Sequence, residues 1–455
     1  PFAGGLALIS GAVRRNTEAS LLVLSVIIAV GGYWLVFLSK QPGIPGGVMG
    51  YALLFTAAYA LAHFSIRKIT PAADPLFLPI ATMLNALGFV LIYRLETPTE
   101  NPGLAAAQSR WLAFAIVAFV ATLWFVKDVR ALARYRYSFA RLGVGLLLLP
   151  MIPGLGREVN GARLWINLGP INFQPAELGK IALVLFFAGL LSERRELLAV
   201  ATRRIGPIGV PEIRHFGPVL LAWGVSLLVM INQKDLGSSL LFFAIFVTML
   251  WMATGRPIYL ITGTAIFAVG AFAASKMFSH VEARILVWRD PFKYIDGRGY
   301  QVVQSIFAFA TGGAWGTGLG LGRPDLIRFS VHTDFIFSAL GEELGLAGAT
   351  AALTAYALLS ARGFGLASRC RDDFSKLLVA GLTTAISLQT ILIIGGVTRL
   401  IPLTGVTLPF MSYGGSSLVS NFILIALLMR VSDQVATQSA EAPPTEINVP
   451  AGGGR

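Results

Sequence analysis

Residues 20–39 read SLLVLSVIIAVGGYWLVFLS and contain no charged side chain. A helix of about 20 such residues crosses the hydrocarbon core of a bilayer, which is about 30 Å thick. Comparable apolar runs recur along the chain as far as residue 431. Only 13% of the 455 residues are charged, whereas soluble domains carry about 25% charged residues. The sequence therefore predicts an integral membrane protein.

Twelve segments have the length and composition of a membrane span. Their interiors must be helical, because lipid offers the backbone of an open sheet no hydrogen-bond partner. The predicted limits are 20–39, 47–65, 75–94, 109–127, 137–153, 175–192, 216–231, 236–254, 258–277, 335–360, 376–396 and 412–431. We predict an all-α fold, a polytopic membrane protein of about 12 transmembrane helices. Residues 432–455 lack the apolar content to fold and are predicted to be a disordered tail.

Positive charges indicate how the chain is oriented in the membrane. Short cytoplasmic loops collect Lys and Arg, and with the N-terminus inside, the basic pairs Arg14–Arg15 and Arg67–Lys68 both fall on the inner side. The 95–108 loop, on the opposite side, contains two acids and no base. Both termini should therefore be cytoplasmic. The net charge of +13 fits this orientation. The sequence contains no basic helix with interleaved aromatic residues, the pattern that would indicate nucleic-acid binding.

The long connection between spans 9 and 10, residues 278–334, is called the outer segment because this topology places it outside the cell. It is too long for a simple connection. It contains the aromatic and basic run at 288–294, an amphipathic stretch at 300–309, several glycines, and His332-Thr333-Asp334. We expect it to lie on the membrane surface and to cover part of the protein.

Asp334 is the strongest catalytic candidate. It follows the outer segment and directly precedes the apolar residues Phe335-Ile336-Phe337, so its carboxyl is expected where water meets the membrane. Partial burial there would raise its pKa above the ordinary value of about 3.9 and make it a better base. A simple helix cap is the alternative. Glu342 and Glu343, about two turns further on, are interpreted as packing residues.

Charged residues also open the sixth span. Glu177 and Lys180 are three residues apart, which places them on one helical face. They form either a structural ion pair or a charged wall of an outward-facing cavity. In the preceding loop, Arg163 and Trp165 are either interfacial anchors or contacts to an anionic lipid headgroup, because guanidinium groups match phosphate geometry.

The last polar group lies before the twelfth span. Arg399 precedes a stretch rich in Gly and Ser that includes Ser416. Small residues permit close helix packing, and the alternative is that this stretch and Arg399 line a polar cavity. The four histidines are scattered and Cys370 is the single cysteine, so no metal-ligand spacing is present.

Six motifs of this sequence, taken in chain order, resemble the SEDS family of shape, elongation, division and sporulation proteins, which includes RodA and FtsW. The resemblance covers residues 75–431 and is strongest to the RodA-like branch of actinobacteria. It implies a ten-helix membrane core at 75–431, with two additional N-terminal helices at 1–74. The motifs are Gly161–Trp165 leading to Phe173–Lys180, Asp235–Ser239, Gly299–Gln301 with Gln304-Ser305, His332–Phe337, Gly341–Gly345 and Pro409–Ser416.

The resemblance implies a peptidoglycan glycosyltransferase that polymerises lipid II, a disaccharide-pentapeptide on undecaprenyl diphosphate, at the outer face of the bacterial cytoplasmic membrane. Asp334 corresponds to the catalytic acid, and a class B penicillin-binding protein is the implied partner. The predicted substrate-binding residues are Arg163, Trp165, Glu177, Lys180, His332, Arg399 and Ser416. No cofactor is indicated by a motif; a divalent cation such as Mg²⁺ or Mn²⁺ is an alternative means of neutralising the diphosphate.

The expected mechanism is inverting, with Asp334 as the general base. Two other classes of function remain open at this point. A lipid II flippase would also use polar groups within the membrane, but it should place them near the midplane rather than at the outer ends of spans. A scaffold that only holds a transpeptidase would show no activity of its own.

Overall fold

A computed structural model describes residues 2–40, 47–96, 102–159, 162–168, 171–199, 203–205, 208–210, 224 and 236–441. The structure is mainly helical within these ranges. The helices described there are α1 (Phe2–Lys40), α2 (Val48–Ile69), α3 (Phe77–Leu95), α4 (Leu104–Phe125), α5 (Arg136–Leu148), α6 (Pro175–Ala199), α7 (Leu236–Thr254), α8 (Ile258–Met277), α9 (Ser279–Arg289), α10 (Tyr300–Gly312), α11 (Ile336–Arg369), α12 (Asp373–Val397) and α13 (Gly415–Glu441).

Ten of the described helices are long and apolar enough to cross a membrane: α1 to α4, α6 to α8 and α11 to α13. The chain is therefore a multi-pass membrane protein, and ten of the twelve predicted spans have a matching helix. The span predicted at 137–153 corresponds to α5, which has 13 residues and is shorter than the roughly 20 that a span requires. The span predicted at 216–231 lies outside the described residues.

The end of the last helix differs from the prediction. α13 continues to Glu441, past the predicted end of the span and into the tail that was expected to be disordered. Asp433 accepts a hydrogen bond from the N–H of Ala72 (2.8 Å), so the helix is bound to a neighbouring loop beyond the span. Residues 432–441 are therefore helical, and residues 442–455 lie outside the described part of the chain.

Two small antiparallel sheets were not expected from an all-α prediction. One has the order β1 (Gly156–Val159), β2 (Ala162–Leu168) and β3 (Ile171–Phe173), and the other pairs β4 (Arg203–Ile205) with β5 (Ile208–Val210). Both lie in connections between helices, where the sequence provides strands of only three to seven residues. The three-residue strands are too short to show an alternation of apolar and polar residues, and β1 and β2 do not alternate strictly.

Helices α6, α12 and α13 form the interior of the bundle and are largely buried. Polar side chains are nevertheless present there, including Lys180, Gln389 and Asn421. A polar side chain inside a membrane protein is costly unless it has partners. The interior of the bundle is therefore a candidate location for a functional site.

The N-terminal helices α1 and α2 pack on α3 and α4. A buried ionic group joins the two helices, because Glu18 binds Arg15 on its own helix and His63 Nδ1 on α2 (2.7 Å). At the other end of α1, the rings of Tyr33 and Tyr93 stack with their centroids 4.0 Å apart. The ionic group thus joins α1 to α2, and the aromatic contact attaches α1 to the core helix α3.

The outer segment folds onto the start of α11. Glu342 accepts the N–H of Arg323 (2.6 Å), and Glu343 accepts the N–H of Gly320 (3.0 Å). Glu343 also pairs with Arg94 of α3 (2.9 Å). These two acids therefore fix the Gly-rich part of the outer segment, which agrees with their interpretation as packing residues.

Candidate active site

The loop that carries Asp334 is held by the residues that precede α13. The N–H of Tyr413 donates to the carbonyl of His332 (2.8 Å), and Ser412 Oγ donates to the carbonyl of Thr333 (2.5 Å). α11 begins two residues after Asp334. The carboxyl therefore lies at the junction between the outer segment and a membrane-spanning helix.

Asp334 faces the same small space as Arg284 of α9. Gly405 has a φ of 75°, and a Cβ at this position would lie 3.8 Å from Asp334 Oδ2 and 3.4 Å from Arg284 Nη2. Burial raises the pKa of Asp334 to about 6, although a hydrogen bond from Thr333 and the charge of Arg284 act in the opposite direction. The carboxyl is thus mostly ionised at neutral pH and more basic than an ordinary aspartate.

Sequence reasoning missed Arg284. Its Nη1 donates to the carbonyl of Thr404 (2.9 Å), a residue 120 positions away in the chain. The available signal was its spacing from Trp288, four residues later, which places both side chains on one face of α9. That spacing alone does not distinguish a site residue from an ordinary interfacial arginine.

A cavity of about 350 Å³ lies on Arg284 and is also lined by Trp288, Arg298 and Arg399, among others. Arg399 donates from Nε to the carbonyl of Trp288 (3.1 Å), and the Trp288 ring N–H donates to the carbonyl of Arg399 (3.0 Å). These reciprocal bonds connect α9 to the turn after α12. Arg399, predicted as one alternative to line a polar cavity, thus lines the same cavity as Arg284, the arginine that faces Asp334.

Lys180 is at the centre of a second polar group. Its Nζ donates to Glu177 Oε2 (3.0 Å) and to Gln389 Oε1 (2.7 Å). Gln389 Nε2 donates in turn to the carbonyl of Thr407 (2.8 Å). Thr407 is two residues from Gly405, and two residues of chain span at most about 7 Å. The Lys180 group therefore approaches the same loop that adjoins Asp334.

Gln389 was also not predicted as a site residue, although an uncharged amide within an apolar span is itself a signal of a polar site. Ser416, in contrast, was predicted, and its Oγ accepts the N–H of Gln174 (2.8 Å) at the start of α6. The neighbouring Ser417 accepts a hydrogen bond from Thr407 (3.0 Å). Ser416 thus joins two helices, which fits the helix-packing alternative better than direct binding.

Arg163 and Trp165 lie on β2, apart from the Asp334 group. Arg163 is exposed and pairs with Glu158 of β1 (3.3 Å). Trp165 is half-buried and lies opposite Arg157 in the sheet. Neither belongs to the contacts of Asp334 that the described residues show.

His332 is half-buried beside Asp334, and its ring lies edge-on to Tyr413 with the centroids 5.5 Å apart. Burial lowers the pKa of His332, so its imidazole is neutral at neutral pH. Its Nδ1 has no hydrogen-bond partner among the described residues. This nitrogen is buried and unpaired in the described part of the chain.

The described residues contain no group of three His, Cys, Asp or Glu side chains arranged to hold a metal ion. They do provide the Asp334 carboxyl, of raised pKa, facing Arg284, and Arg284 lines a cavity with two further guanidinium groups. This combination suits proton removal from a hydroxyl next to a group that gains negative charge.

Comparison with known proteins shows similarity to one family over most of the chain. Residues 75–437 match the family described as FtsW/RodA/SpoVE cell cycle proteins. The chain is 43% identical over 425 residues to the peptidoglycan glycosyltransferase RodA of Mycobacterium tuberculosis, which covers 92% of this chain and 90% of that protein.

Two solved structures are similar in fold. One, described as "Structural coordination of polymerization and crosslinking by a peptidoglycan synthase complex", has a TM-score of 0.66 and 27% identity, and the match covers 80% of this chain and 98% of that chain. The other is the rod shape determining protein RodA of Thermus thermophilus, with a TM-score of 0.55, 26% identity and coverage of 79% and 97%.

Proposed function

The chain belongs to the FtsW/RodA/SpoVE family of cell cycle proteins, and from this membership we propose that it is a peptidoglycan glycosyltransferase that polymerises lipid II. The relative from Mycobacterium tuberculosis carries that enzymatic name and matches nearly the whole chain. The observation that carries the chemistry is the position of Asp334, with a pKa raised to about 6, facing Arg284, which lines a cavity together with two other arginines.

In this mechanism Asp334 is the general base. Its carboxylate takes the proton from the 4-hydroxyl of the acceptor's N-acetylglucosamine while that oxygen attacks the anomeric carbon of the donor sugar. The bond between this carbon and the diphosphate oxygen breaks, and the electron pair leaves with the diphosphate. An α-linked donor thereby gives a β-1,4 linkage with inversion, and no sugar becomes attached to the enzyme.

Cations must stabilise the charge that grows on the departing diphosphate. Among the predicted substrate-binding cations, Arg399 is supported in this role by its position in the cavity. Lys180 is proposed to act through the loop it reaches by way of Gln389. Arg163, Trp165, Glu177, His332 and Ser416 are proposed as further substrate contacts or as residues that position them.

We place the reaction on the outer face of the cytoplasmic membrane, with both termini in the cytoplasm. We keep twelve spans as a proposal, with 216–231 as one of them and α5, continued by the 3-10 turn Leu149–Met151, as a short one. One of the similar structures comes from a peptidoglycan synthase complex that coordinates polymerization and crosslinking. By analogy, the proposed partner is a class B penicillin-binding protein that crosslinks the strands this chain makes.

The alternatives are a lipid II flippase and a scaffold without activity. Asp334 lies at the end of a span, beside the outer segment, rather than in the middle of a helix. A transport path would require its polar groups near the midplane. This position favours chemistry at one face.

The test is to mix the purified full-length protein with lipid II, both alone and with a class B penicillin-binding protein, and to separate the products by size. We expect glycan strands of many disaccharides and release of undecaprenyl diphosphate. If neither mixture makes polymer, and vesicles that contain the protein move lipid II across their membrane, the chain is a transporter and this proposal is wrong. If there is neither polymer nor movement of lipid II, the scaffold without activity is the remaining function.

A further inference from the structure

The cavity beside Trp288 combines positive charge with an apolar wall. Three arginines line it, Arg284, Arg298 and Arg399, together with Val302 and other apolar side chains. No Asp or Glu is among the described residues that line it. Its volume of about 350 Å³ is within the range of roughly 300–1,000 Å³ for small-molecule sites. Such a cavity suits an anionic group attached to a hydrocarbon chain.

The three guanidinium groups retain donors for a ligand. Arg298 is exposed and has no hydrogen bond or ion pair with the residues that the structure describes. Arg284 uses Nη1 for the carbonyl of Thr404, and Arg399 uses Nε and Nη2 for two backbone carbonyls. Each guanidinium group has five N–H donors, so each of the three arginines still has donors that can bind a phosphate oxygen.

We propose that this cavity binds the diphosphate of the donor, the lipid-linked strand whose anomeric carbon is attacked, and not the diphosphate of the acceptor. The inference rests on the proposed function. A base lies about 2.6–3.2 Å from the hydroxyl it deprotonates, and that hydroxyl about 3–3.5 Å from the attacked carbon. The donor's diphosphate is bonded to this carbon, whereas the acceptor's diphosphate is a whole disaccharide away. An anion site that includes Arg284, the cation facing the base, therefore serves the leaving group.

Arg284 connects the base to the cavity. It lines the cavity, and its Nη2 and Asp334 Oδ2 both lie within 4 Å of the Cβ position of Gly405. As the bond to the donor's anomeric carbon breaks, charge-assisted hydrogen bonds from guanidinium groups stabilise the diphosphate. Arg284 thus binds the leaving group on the side nearest the base, and Arg298 and Arg399 bind it further along the cavity.

Arg298→Gln tests the proposal, because it removes one cation of the cavity without changing Arg284 or Asp334. The matched control is Lys293→Gln, which removes an exposed cation from the same outer segment but does not line the cavity. Purified full-length variants polymerise lipid II while undecaprenyl diphosphate, the donor's leaving group, is added as an inhibitor. Strand length is measured at saturating lipid II.

We expect Arg298→Gln to raise the inhibitory concentration of undecaprenyl diphosphate about tenfold, the usual contribution of a hydrogen bond to a charged group. Its strands should be shorter, because a weakly held donor is released between additions. Lys293→Gln should match the parent protein in both measurements. At saturating lipid II a weakened acceptor site is still filled, so only a weakened donor site shortens the strands.

An unchanged inhibitory concentration for Arg298→Gln would overturn the proposal. A raised concentration with strands of parental length would also overturn it, since the cavity would then serve the acceptor. Both results leave the proposed function intact as long as Asp334→Asn is inactive. Polymerisation by Asp334→Asn at the parental rate would remove the proposed function instead.

Discussion

The surroundings of the Asp334 carboxyl could be predicted from sequence because its neighbours in the chain define them. A polar His-Thr-Asp stretch followed at once by Phe335-Ile336-Phe337 predicted a partly buried acid at a helix start. The structure gives it that position, and burial raises its pKa to about 6. Arg284 was not predictable in the same way, because its contact with Thr404 joins residues 120 positions apart.

The raised pKa of Asp334 predicts the pH dependence of the reaction. A carboxyl is a base only when it is deprotonated, so kcat/KM for lipid II should rise through pH of about 6 and level off above it. Arg284 lowers this pKa, and Arg284→Gln should therefore move the midpoint to higher pH. The measurement is polymerisation rate against pH for the purified parent and variant.

The control for this profile is Lys293→Gln, which removes a cation that does not face Asp334. Its midpoint should equal that of the parent protein. A parental midpoint near pH 4, roughly the ordinary value for an aspartate, or an Arg284→Gln midpoint that does not move, would contradict the assigned surroundings of Asp334.

At the scale of elements, the long spans were predictable and the short strands were not. A span shows a continuous apolar run, which the bilayer requires, whereas β1 to β3 occupy three to seven residues each. The extension of α13 to Glu441 was missed for a different reason. It depends on contacts such as Ala72 with Asp433, which no local pattern reveals.

Close packing of α7 against the loop at 404–407 gives a prediction for one glycine. A Cβ at Gly237 would clash with the carbonyl oxygen of Thr404, and this is the carbonyl that binds Arg284. Gly237→Ala should therefore lower stability by about 1–3 kcal/mol, the typical cost of overpacking, and should reduce polymerisation. Thermal unfolding and glycan synthesis are measured on the purified protein.

Gly270 of α8 is the matched control, because a Cβ there would meet nothing within 4 Å. Gly270→Ala should retain activity and show equal or slightly higher stability, since alanine favours a helix by up to about 1 kcal/mol. Equal behaviour of the two variants would show that the 404–407 loop does not depend on the contact with α7.

At the scale of the whole molecule, composition and the order of the spans were enough to predict a multi-pass helical membrane protein. The assembly of the candidate site was not predictable, because it combines side chains from α6, α9 and α12 with the loop before α11 and the 404–407 loop. The sequence identified Asp334, Lys180 and Arg399 separately, and only the packed bundle shows how each is connected.

The orientation of the chain can be tested with single cysteines. The buried Cys370 is replaced by serine, and either Asp296 in the outer segment or Arg371 after α11, both exposed, is changed to cysteine. A membrane-impermeant maleimide added to intact cells should label Asp296→Cys but not Arg371→Cys. After the cells are opened, both should react. Labelling of Arg371→Cys alone in intact cells would reverse the proposed topology.

The most direct test of the account is glycan synthesis by purified Asp334→Asn protein, compared with Asp296→Asn in the same outer segment. Asparagine keeps the size of the side chain but cannot accept the proton. We predict that Asp334→Asn loses about 10²–10⁴ in rate, as expected for removal of a positioned base, with unchanged thermal stability, and that Asp296→Asn polymerises lipid II like the parent. Synthesis by Asp334→Asn at the parental rate would contradict the account.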